Sequence, residues 1–255
     1  MRMVHISDLH INSGSEFNIE TFDAGMKAIN ALEPAPELVF VSGDLVWEGV
    51  LTEYEMAQEL LQGFEIPVVL VPGNHDSRHI GYKLFAEFFG GLEFYKEMKE
   101  ISLLGLDSSE PDLDEGHIGR SKYKKIEDDL GQSKGLKIIG FHHHLVPVPN
   151  AGRDRNILND GGGVLDLLLS CNVSMVLMGH RHVPYAVRVH NTLMINAGTF
   201  SSSRTRAHFG NSFNIIDIEG QAIMITSYEI EEDKQTLMVK FDRDNNVYMN
   251  RYYSL

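Results

Sequence analysis

The sequence predicts an α/β fold, a four-layer αββα sandwich in which two mixed β-sheets pack face to face with helices outside. Five apolar runs have the length and β-branched content of buried strands, and each one stops at a short polar cluster. Helical patterns lie between these runs, which is typical of an α/β protein. Short strands joined by tight turns are concentrated toward the C-terminus and indicate that a second sheet packs on the first.

The first group of elements alternates strand and helix. The five apolar runs are Met3–Ile6, Leu38–Val41, Pro67–Val71, Lys137–Phe141 and Ser174–Met178. The helical patterns are Asn18–Leu32, Thr52–Phe64, Arg78–Phe89, Lys122–Leu130 and Gly163–Ser170. The second helix opens on Thr52-Glu53-Tyr54-Glu55, a capping-box pattern that predicts its N-terminus.

The second group consists of short neighbouring strands, and turn signals such as Glu219-Gly220 separate the last of them. These strands are Phe94–Lys99, Ile101–Leu106, Tyr185–His190, Thr192–Asn196, Phe213–Ile218, Ala222–Ile230, Thr236–Asp242 and Asn246–Tyr252. A chain of 255 residues suits one sizeable domain. We therefore expect a single domain over 1–255 in which the C-terminal strands, about 212–255, complete the second sheet.

The composition and net charge limit the kinds of molecule that we expect the protein to bind and its cellular location. The net charge of −14 argues against binding of extended nucleic acid, which needs a basic surface, and leaves small phosphate compounds open. No apolar run approaches the roughly 20 residues of a membrane helix, so a membrane partner is not expected. The N-terminus runs directly into a strand, so a signal peptide is not expected either. The single Cys171 excludes an internal disulfide and favours the cytoplasm.

The polar clusters that end the five runs carry the strongest functional signal. They are Asp8-Leu9-His10, Gly43-Asp44, Gly73-Asn74-His75-Asp76, His142-His143-His144 and Gly179-His180-Arg181-His182. Ligands gather at the carboxyl ends of strands in open α/β sheets, so the five loops can converge on one crevice. Each cluster alone is better explained as a turn or a helix cap. Together, and in this order, their carboxylates and imidazoles predict a site for two metal ions.

This order of motifs resembles the calcineurin-like metallophosphoesterase family. Gly105–Ser109 and Glu115–Gly119 resemble the spacer of its class III cyclic nucleotide phosphodiesterase branch, and the similarity covers roughly residues 1–200. The resemblance implies one metal on Asp8, His10 and His182, a second on Asn74, His142 and His180, and Asp44 as the bridge between them. It also implies manganese, iron or zinc, which the mixed nitrogen and oxygen donors independently suit.

The sequence does not decide which histidine of the triplet is the metal ligand. We assign His142, because it is the first residue after the run Lys137–Phe141, and His143 remains the alternative. The histidine that is not a ligand would line the substrate pocket or pack against its neighbours.

Two metals about 3.5–4 Å apart can supply a bridging hydroxide as the nucleophile. The resemblance implies that His75 donates the proton to the leaving group, and Asp76 would orient the loop or the imidazole. A packing role for His75 and a helix-cap role for Asp76 are the structural alternatives. For substrate binding we expect Asn74, His75, His143 and Arg181.

Further phosphate contacts are expected from loop arginines. The candidates, most of which we expect to be ordinary solvated side chains, are Arg78, Arg153, Arg155, Arg204 and Arg206. The segment Pro147–Asp160 is polar, is long for a connection and leaves directly from the histidine triplet, so it is the predicted lid.

The predicted function is hydrolysis of small phosphodiesters, with cyclic nucleotides among the candidate substrates. The alternatives are a phosphomonoesterase or nucleotide pyrophosphatase on the same site, then a nuclease, then an inactive binding module. The complete ligand set weighs against the last, because buried carboxylates and imidazoles destabilise a fold that has no use for them. An exposed edge in the C-terminal strands would suit a homodimer.

Overall fold

The computed structural model describes residues 1–153, 157–241 and 247–250. The helices are α1 (Ile19–Asn30), α2 (Leu51–Leu61), α3 (Gly81–Phe89), α4 (Tyr123–Gly131) and α5 (Gly161–Ser170). The strands are β1 (Arg2–Ile6), β2 (Leu38–Val41), β3 (Val68–Leu70), β4 (Phe94–Glu97), β5 (Ile101–Gly105), β6 (Leu136–Gly140), β7 (Met175–Met178), β8 (Tyr185–Val189), β9 (Thr192–Asn196), β10 (Ser212–Glu219), β11 (Ala222–Glu229), β12 (Lys234–Phe241) and β13 (Val247–Met249).

The strands form two mixed sheets, as the sequence predicts. One has seven strands in the order β13-β12-β11-β10-β1-β2-β3, and the other has six in the order β4-β5-β6-β7-β9-β8. In the first, β1, β2 and β3 run parallel, whereas β10 returns antiparallel beside β1. In the second, β5, β6, β7 and β9 are parallel, and β4 and β8 are antiparallel edges.

The C-terminal strands belong to a different sheet from the one predicted. They do not join the strands of Phe94–Leu106 and Tyr185–Asn196, but extend the sheet that contains β1. The register pairs Met3 with Ile216, and Arg2 forms an ion pair of 2.7 Å with Asp217. This register turns Ile216 and Ile218 toward the layer between the sheets, where both are buried. Of the predicted strand ends, residues 242, 246, 251 and 252 lie outside the described residues.

Alternation along the strands builds the four layers. Leu38 and Phe40 of β2 pack in the apolar layer between the two sheets, while Val39 and Val41 face the layer under α1, α2 and α3. A third apolar cluster, which includes Ile126 of α4, covers the outer face of the six-stranded sheet. The four-layer αββα arrangement predicted from the sequence is therefore confirmed. Within the described ranges, no helix has both the length and the apolar character needed to cross a membrane.

Among the five α-helices that the structure describes, only α1 is preceded by a residue whose side chain caps the helix. The Asn18 side chain accepts hydrogen bonds from the Glu20 and Thr21 amides and caps α1. The predicted capping box at Thr52 is wrong, because α2 begins at Leu51 and its cap Val50 has no side-chain hydrogen bond. Glu53 instead accepts a hydrogen bond of 2.8 Å from the Glu48 amide. It therefore holds the loop that leads from Asp44 into α2.

The carboxyl ends of the parallel strands bring the two sheets together at one edge. The His142 ring, after β6, donates a hydrogen bond of 2.8 Å to the Ser42 carbonyl, after β2. The Asp8 carboxylate, after β1, accepts from the His180 amide, after β7, at 2.9 Å. Hydrogen bonds between loops of different sheets therefore form the crevice predicted at the strand ends.

Candidate metal centre

The predicted ligands converge at this edge in three overlapping groups. The groups are Asp8, His10 and His182, then His10, Asp44 and His75, then Asp44, His142 and His180, and within each the ligand atoms lie within 4.8 Å of one another. His10 and Asp44 each belong to two groups, so the groups form one continuous cluster. The amide Oδ1 of Asn74 completes it at 3.0 Å from His180 Nδ1.

One half of the cluster is built by Asp8, His10 and His182. The Nε2 atoms of His10 and His182 face each other at 3.0 Å. Asp8 Oδ1 lies 3.2 Å from His182 Nε2 and 3.9 Å from His10 Nε2. All three side chains are buried. Their donor atoms therefore point at one small volume.

The other half is built by Asn74, His142 and His180. His142 Nε2 lies 3.2 Å from His180 Nδ1. Asp44 connects the halves, because its Oδ2 lies 3.2 Å from His142 Nε2 and 3.7 Å from His10 Nε2. Its other oxygen accepts a hydrogen bond from the His75 amide at 3.0 Å. Asp44 Oδ2 thus occupies the position between two candidate ion sites.

Hydrogen bonds behind the cluster orient its side chains. His142 Nδ1 donates to the Ser42 carbonyl at 2.8 Å, and His182 Nδ1 donates to the Arg204 carbonyl at 2.7 Å. Both rings therefore use Nδ1 for these hydrogen bonds and turn Nε2 toward the cluster. The Asn74 amide donates to Asp114 Oδ1 at 3.3 Å, which leaves its own oxygen facing His180.

The backbone is strained at these positions. Left-handed φ angles occur at five of the predicted ligands, namely Asp8 (54°), His10 (53°), Asp44 (51°), His180 (71°) and His182 (55°). Such φ values are uncommon in residues other than glycine, and they cluster at functional sites that the surrounding structure holds in place. Here the strain turns each side chain back toward the end of its strand.

The donor set fits divalent transition metals. Two pairs of imidazole nitrogens face each other at 3.0 and 3.2 Å, and a cation beside each pair would accept both lone pairs. Nitrogen and oxygen donors without a thiolate suit manganese, iron or zinc. Gly43, at a φ of 97°, leaves room for His142, since a Cβ there would lie 2.7 Å from its Nδ1.

The electrostatics of the cluster also favour a cation. Burial alone would raise the pKa of Asp44, but the neighbouring His142 and His75 rings hold it well below its usual range. Burial opposes charge on His142, yet the Asp44 carboxylate raises the pKa of this ring to about 9. Burial lowers the pKa of His10 and His180 well below the usual value, which keeps these rings in the neutral form that binds metals.

His75 lies beside the cluster, with one nitrogen committed. Its Nδ1 donates a hydrogen bond of 2.6 Å to the Trp47 carbonyl, and its Nε2 lies 3.4 Å from Arg78 Nη2. The His75 ring centroid is 4.6 Å from that of His10. Burial, opposed by Asp44 and reinforced by Arg78, lowers the pKa of His75. The His75 ring is therefore adjacent to His10, and its amide contacts Asp44.

Asp76 does not reach the cleft. Its carboxylate is fully buried and accepts hydrogen bonds from the amides of Leu45 (3.1 Å), Val46 (2.9 Å) and Gly73 (2.8 Å). Burial and the nearby Asp44 raise the pKa of Asp76 to about 7. Of the two orienting roles predicted for Asp76, these contacts fit the loop and not the imidazole, because the carboxylate joins the loop of Asp44 to the loop of Asn74.

Comparison with known proteins agrees with this geometry. A sequence model described as calcineurin-like phosphoesterase matches residues 1–184. The chain belongs to this family. Membership covers the five motifs, from Asp8 to His182, and leaves β8 to β13 beyond the matched range.

Relatives of this phosphoesterase include two named phosphodiesterases. A probable glycerophosphodiester phosphodiesterase of Arcobacter nitrofigilis is 28% identical over 159 residues, a match that covers 56% of this chain and 57% of the relative. A probable cyclic nucleotide phosphodiesterase of Xenorhabdus bovienii is 24% identical over 238 residues, covering 85% of this chain and 95% of the relative.

Solved structures share the fold. The yellow lupin purple acid phosphatase PPD1 superposes with a TM-score of 0.73 at 13% identity, covering 93% of this chain and 52% of the other. A dimetal phosphatase from Danio rerio gives a TM-score of 0.72 at 12% identity, covering 93% and 98% of the two chains. At such low identity these likenesses establish the architecture alone.

In the histidine triplet, the contacts of the two rings favour His142 as the ligand. The ring of His143 is fully buried, with Nδ1 at 2.9 Å from Ser108 Oγ and Nε2 at 3.2 Å from the Asp114 carbonyl. Both of its nitrogens are therefore engaged away from the candidate ions. His143 does not line the cleft over the metal cluster, so its predicted substrate contact is corrected to packing behind His180.

The predicted lid is anchored by an arginine that was expected to bind substrate. Arg181 is buried and donates hydrogen bonds to the carbonyls of Ala151 (2.7 Å) and Arg153 (2.8 Å). Arg206 donates to the same Ala151 carbonyl at 2.8 Å. Arg181 therefore borders the cleft mainly as an anchor for the segment 151–153. Residues 154–156 of the predicted lid, Arg155 among them, lie outside the described residues.

Trp47 lies at the site although no sequence motif indicated it. Its carbonyl orients His75, and its ring lies 4.5 Å from the His75 ring and 5.2 Å from the His10 ring. The guanidinium groups of Arg78 and Arg204 lie 5.6 and 5.1 Å from the same indole. The available signal was a single tryptophan three residues after Asp44.

Proposed function

We propose that this protein is a dinuclear-metal phosphodiesterase that hydrolyses small phosphodiesters, with cyclic nucleotides among its candidate substrates. The observation that carries the proposal is the position of Asp44 Oδ2, 3.2 Å from His142 Nε2 and 3.7 Å from His10 Nε2. A carboxylate oxygen between two sets of nitrogen donors supports a bridging ligand in a two-metal site.

The proposed ligands divide into two sets. Asp8, His10 and His182 hold one ion, Asn74, His142 and His180 hold the other, and Asp44 bridges. Manganese, iron and zinc all suit these donors.

In the proposed reaction, residues of the chain donate a proton to the leaving group and orient the metal ligands. Two bound ions would neutralise the phosphoryl oxygens and activate a water for in-line attack. Protonated His75 transfers its Nε2 proton to the leaving oxygen while its Nδ1–H stays on the Trp47 carbonyl, which keeps the ring aimed. Asp114 keeps the Asn74 oxygen directed at its ion, since it accepts the amide hydrogen bond.

A small diester is the proposed substrate class. The cleft over the cluster has a volume of about 160 Å³, which suits a small substrate and not an extended polymer. The net charge of −14 disfavours a long polyanion. The names of the relatives, a probable glycerophosphodiester phosphodiesterase and a probable cyclic nucleotide phosphodiesterase, support diester hydrolysis here.

The test measures metal and turnover together. Purified protein, stripped and reloaded with manganese, is expected to hold two ions per chain and to hydrolyse an aryl phosphodiester faster than the matching monoester. His75→Ala should lower turnover by about 10²–10⁴-fold, because the leaving group loses its proton donor, and should retain both ions. Asp44→Ala should lose metal and turnover together. Monoester preference would favour a phosphomonoesterase, and full diester turnover in Asp44→Ala would contradict the proposal.

Two further expectations stay part of the proposal. A cytoplasmic location is supported by the single, unpaired Cys171. A homodimer is supported by short edge strands, β3 and β13 in one sheet and β4 and β8 in the other, whose outer backbone groups can pair with a second chain. A sedimentation mass equal to one chain would exclude the homodimer.

A further inference from the structure

Four arginines line the cleft over the metal cluster, and their surroundings differ. Arg78 pairs with Glu48 at 3.2 Å and donates to the Trp47 carbonyl. Arg181 and Arg206 both donate to the Ala151 carbonyl. The Arg204 guanidinium alone has neither a hydrogen bond nor an ion pair to any described residue, although the chain carries a net charge of −14.

The Arg204 backbone is nevertheless held in place. Its carbonyl accepts the hydrogen bond of 2.7 Å from the ring of His182, and its amide donates to Ser202 Oγ at 3.2 Å. The guanidinium carbon lies 5.1 Å from the centroid of the Trp47 indole. A guanidinium that rests on an aromatic ring keeps its edge donors available for an anion.

The same indole places Arg204 near the leaving group. The Trp47 ring lies 4.5 Å from the ring of His75, the proposed proton donor to the leaving oxygen. The Trp47 ring is therefore near both His75 and the Arg204 guanidinium, which puts Arg204 within reach of a group attached to that oxygen. Arg78 lies 5.6 Å from the same ring and adds a second positive charge at this end of the cleft.

We propose that Arg204, on its Trp47 platform, forms an anion subsite for a second phosphate carried by the leaving group. This inference rests on the proposed function and narrows its substrates to phosphodiesters with a phosphate beyond the scissile bond. A planar guanidinium binds a phosphate through two parallel hydrogen bonds. Arg204 therefore suits a phosphate better than a neutral hydroxyl or a base.

The reaction balances without another reagent. A water molecule gives one proton to solvent, its oxygen bonds to the scissile phosphorus, and the bond from that phosphorus to the leaving oxygen breaks. His75 supplies the proton that the leaving oxygen takes and then regains one from solvent. The second phosphate stays on the alcohol product and serves only for binding.

The test compares two probes that the enzyme does not turn over, inorganic phosphate and methylenebisphosphonate, on manganese-loaded protein. Calorimetry gives both affinities, and fluorescence of the single Trp47 reports binding beside Arg204. Arg204→Ala should weaken the bisphosphonate by roughly tenfold to a hundredfold, the loss of a charged hydrogen bond, and should weaken phosphate much less. Arg204→Lys should lose an intermediate amount, because it keeps the charge without the planar fork.

Arg188→Ala is the matched control. Arg188 also lies against an aromatic ring, 5.3 Å from the Phe241 centroid, but outside the cleft, so both affinities should stay at wild-type values. An unchanged ratio of the two affinities in Arg204→Ala would overturn the subsite. Wild-type protein that binds neither manganese nor phosphate would overturn the proposed function instead, so the two failures are distinguishable.

Discussion

His142 and His143 illustrate how neighbouring identical residues acquire different roles. His142 donates from Nδ1 to the Ser42 carbonyl and keeps Nε2 for the cluster, whereas His143 has partners at both nitrogens. Burial and the nearby His142 lower the pKa of His143 to about 3, so it stays neutral behind His180. Hydrogen bonds on the far side of each ring therefore decide which histidine can be a ligand.

Asp76 gives a prediction at the scale of a single residue. Asp76→Asn replaces one acceptor oxygen by a donor that faces the amides of Leu45, Val46 and Gly73. We expect the free energy of unfolding to fall by about 1–3 kcal/mol, because a buried amide is left without an acceptor. Denaturant unfolding measures the change. The control is Asp166→Asn, at an exposed position of α5. Wild-type stability in Asp76→Asn would contradict the positioning role.

At the scale of elements, the approach of the two sheets depends on a glycine. A Cβ on Gly140, at the end of β6, would collide with the ring of Phe40 on β2. Phe40 is fully buried and belongs to the layer between the sheets. The small residue is therefore required by close approach of the facing ring.

Gly140→Ala should destabilise the fold by about 1–3 kcal/mol, the usual cost of overpacking a core. Gly162→Ala is the matched control, since nothing lies within 4 Å of its added Cβ and Gly162 is an exposed residue in the first turn of α5. The control should be neutral or stabilise the helix by about 0.5–1 kcal/mol. Thermal unfolding of both variants measures the difference, and equal midpoints would refute the packing argument.

Sequence patterns predicted those elements whose signal is local. The apolar runs that form β1, β2, β3, β6 and β7 end at polar clusters. This pattern can be recognised in the sequence without knowing which strands are neighbours in the sheet. The N-terminus of α2 was misplaced, because Glu53 accepts a hydrogen bond from the preceding loop and not from the cap residue of its own helix. Local residues cannot distinguish those two partners.

Non-local features could not be predicted. The pairing of β10 with β1 joins residues as far apart as Arg2 and Asp217, and either sheet offered a suitable edge to the C-terminal hairpins. The left-handed φ angles at the ligands and the contacts of Trp47 likewise depend on tertiary packing. The ligand cluster, in contrast, was predicted from the order of the motifs together with the family resemblance, because strand ends in open α/β sheets can bring such motifs together.

At the scale of the whole molecule, the candidate ions connect the two sheets. Asp8, Asp44 and Asn74 follow strands of the seven-stranded sheet, whereas His142, His180 and His182 follow strands of the six-stranded sheet. Each proposed ion has ligands from both. Metal binding should therefore stabilise the packing of one sheet on the other, and not only the loops that carry the ligands.

Manganese should raise the unfolding temperature of the metal-stripped protein. An ion present at 100 times its dissociation constant contributes about 2.7 kcal/mol, which corresponds to roughly 5–10 °C per ion for a chain of this size. Differential scanning calorimetry over a manganese series measures the shift. Asp166→Asn should show the wild-type shift, and Asp44→Ala should show little of it, because the shared carboxylate is missing. A full shift in Asp44→Ala would mean that manganese stabilises the fold from another site.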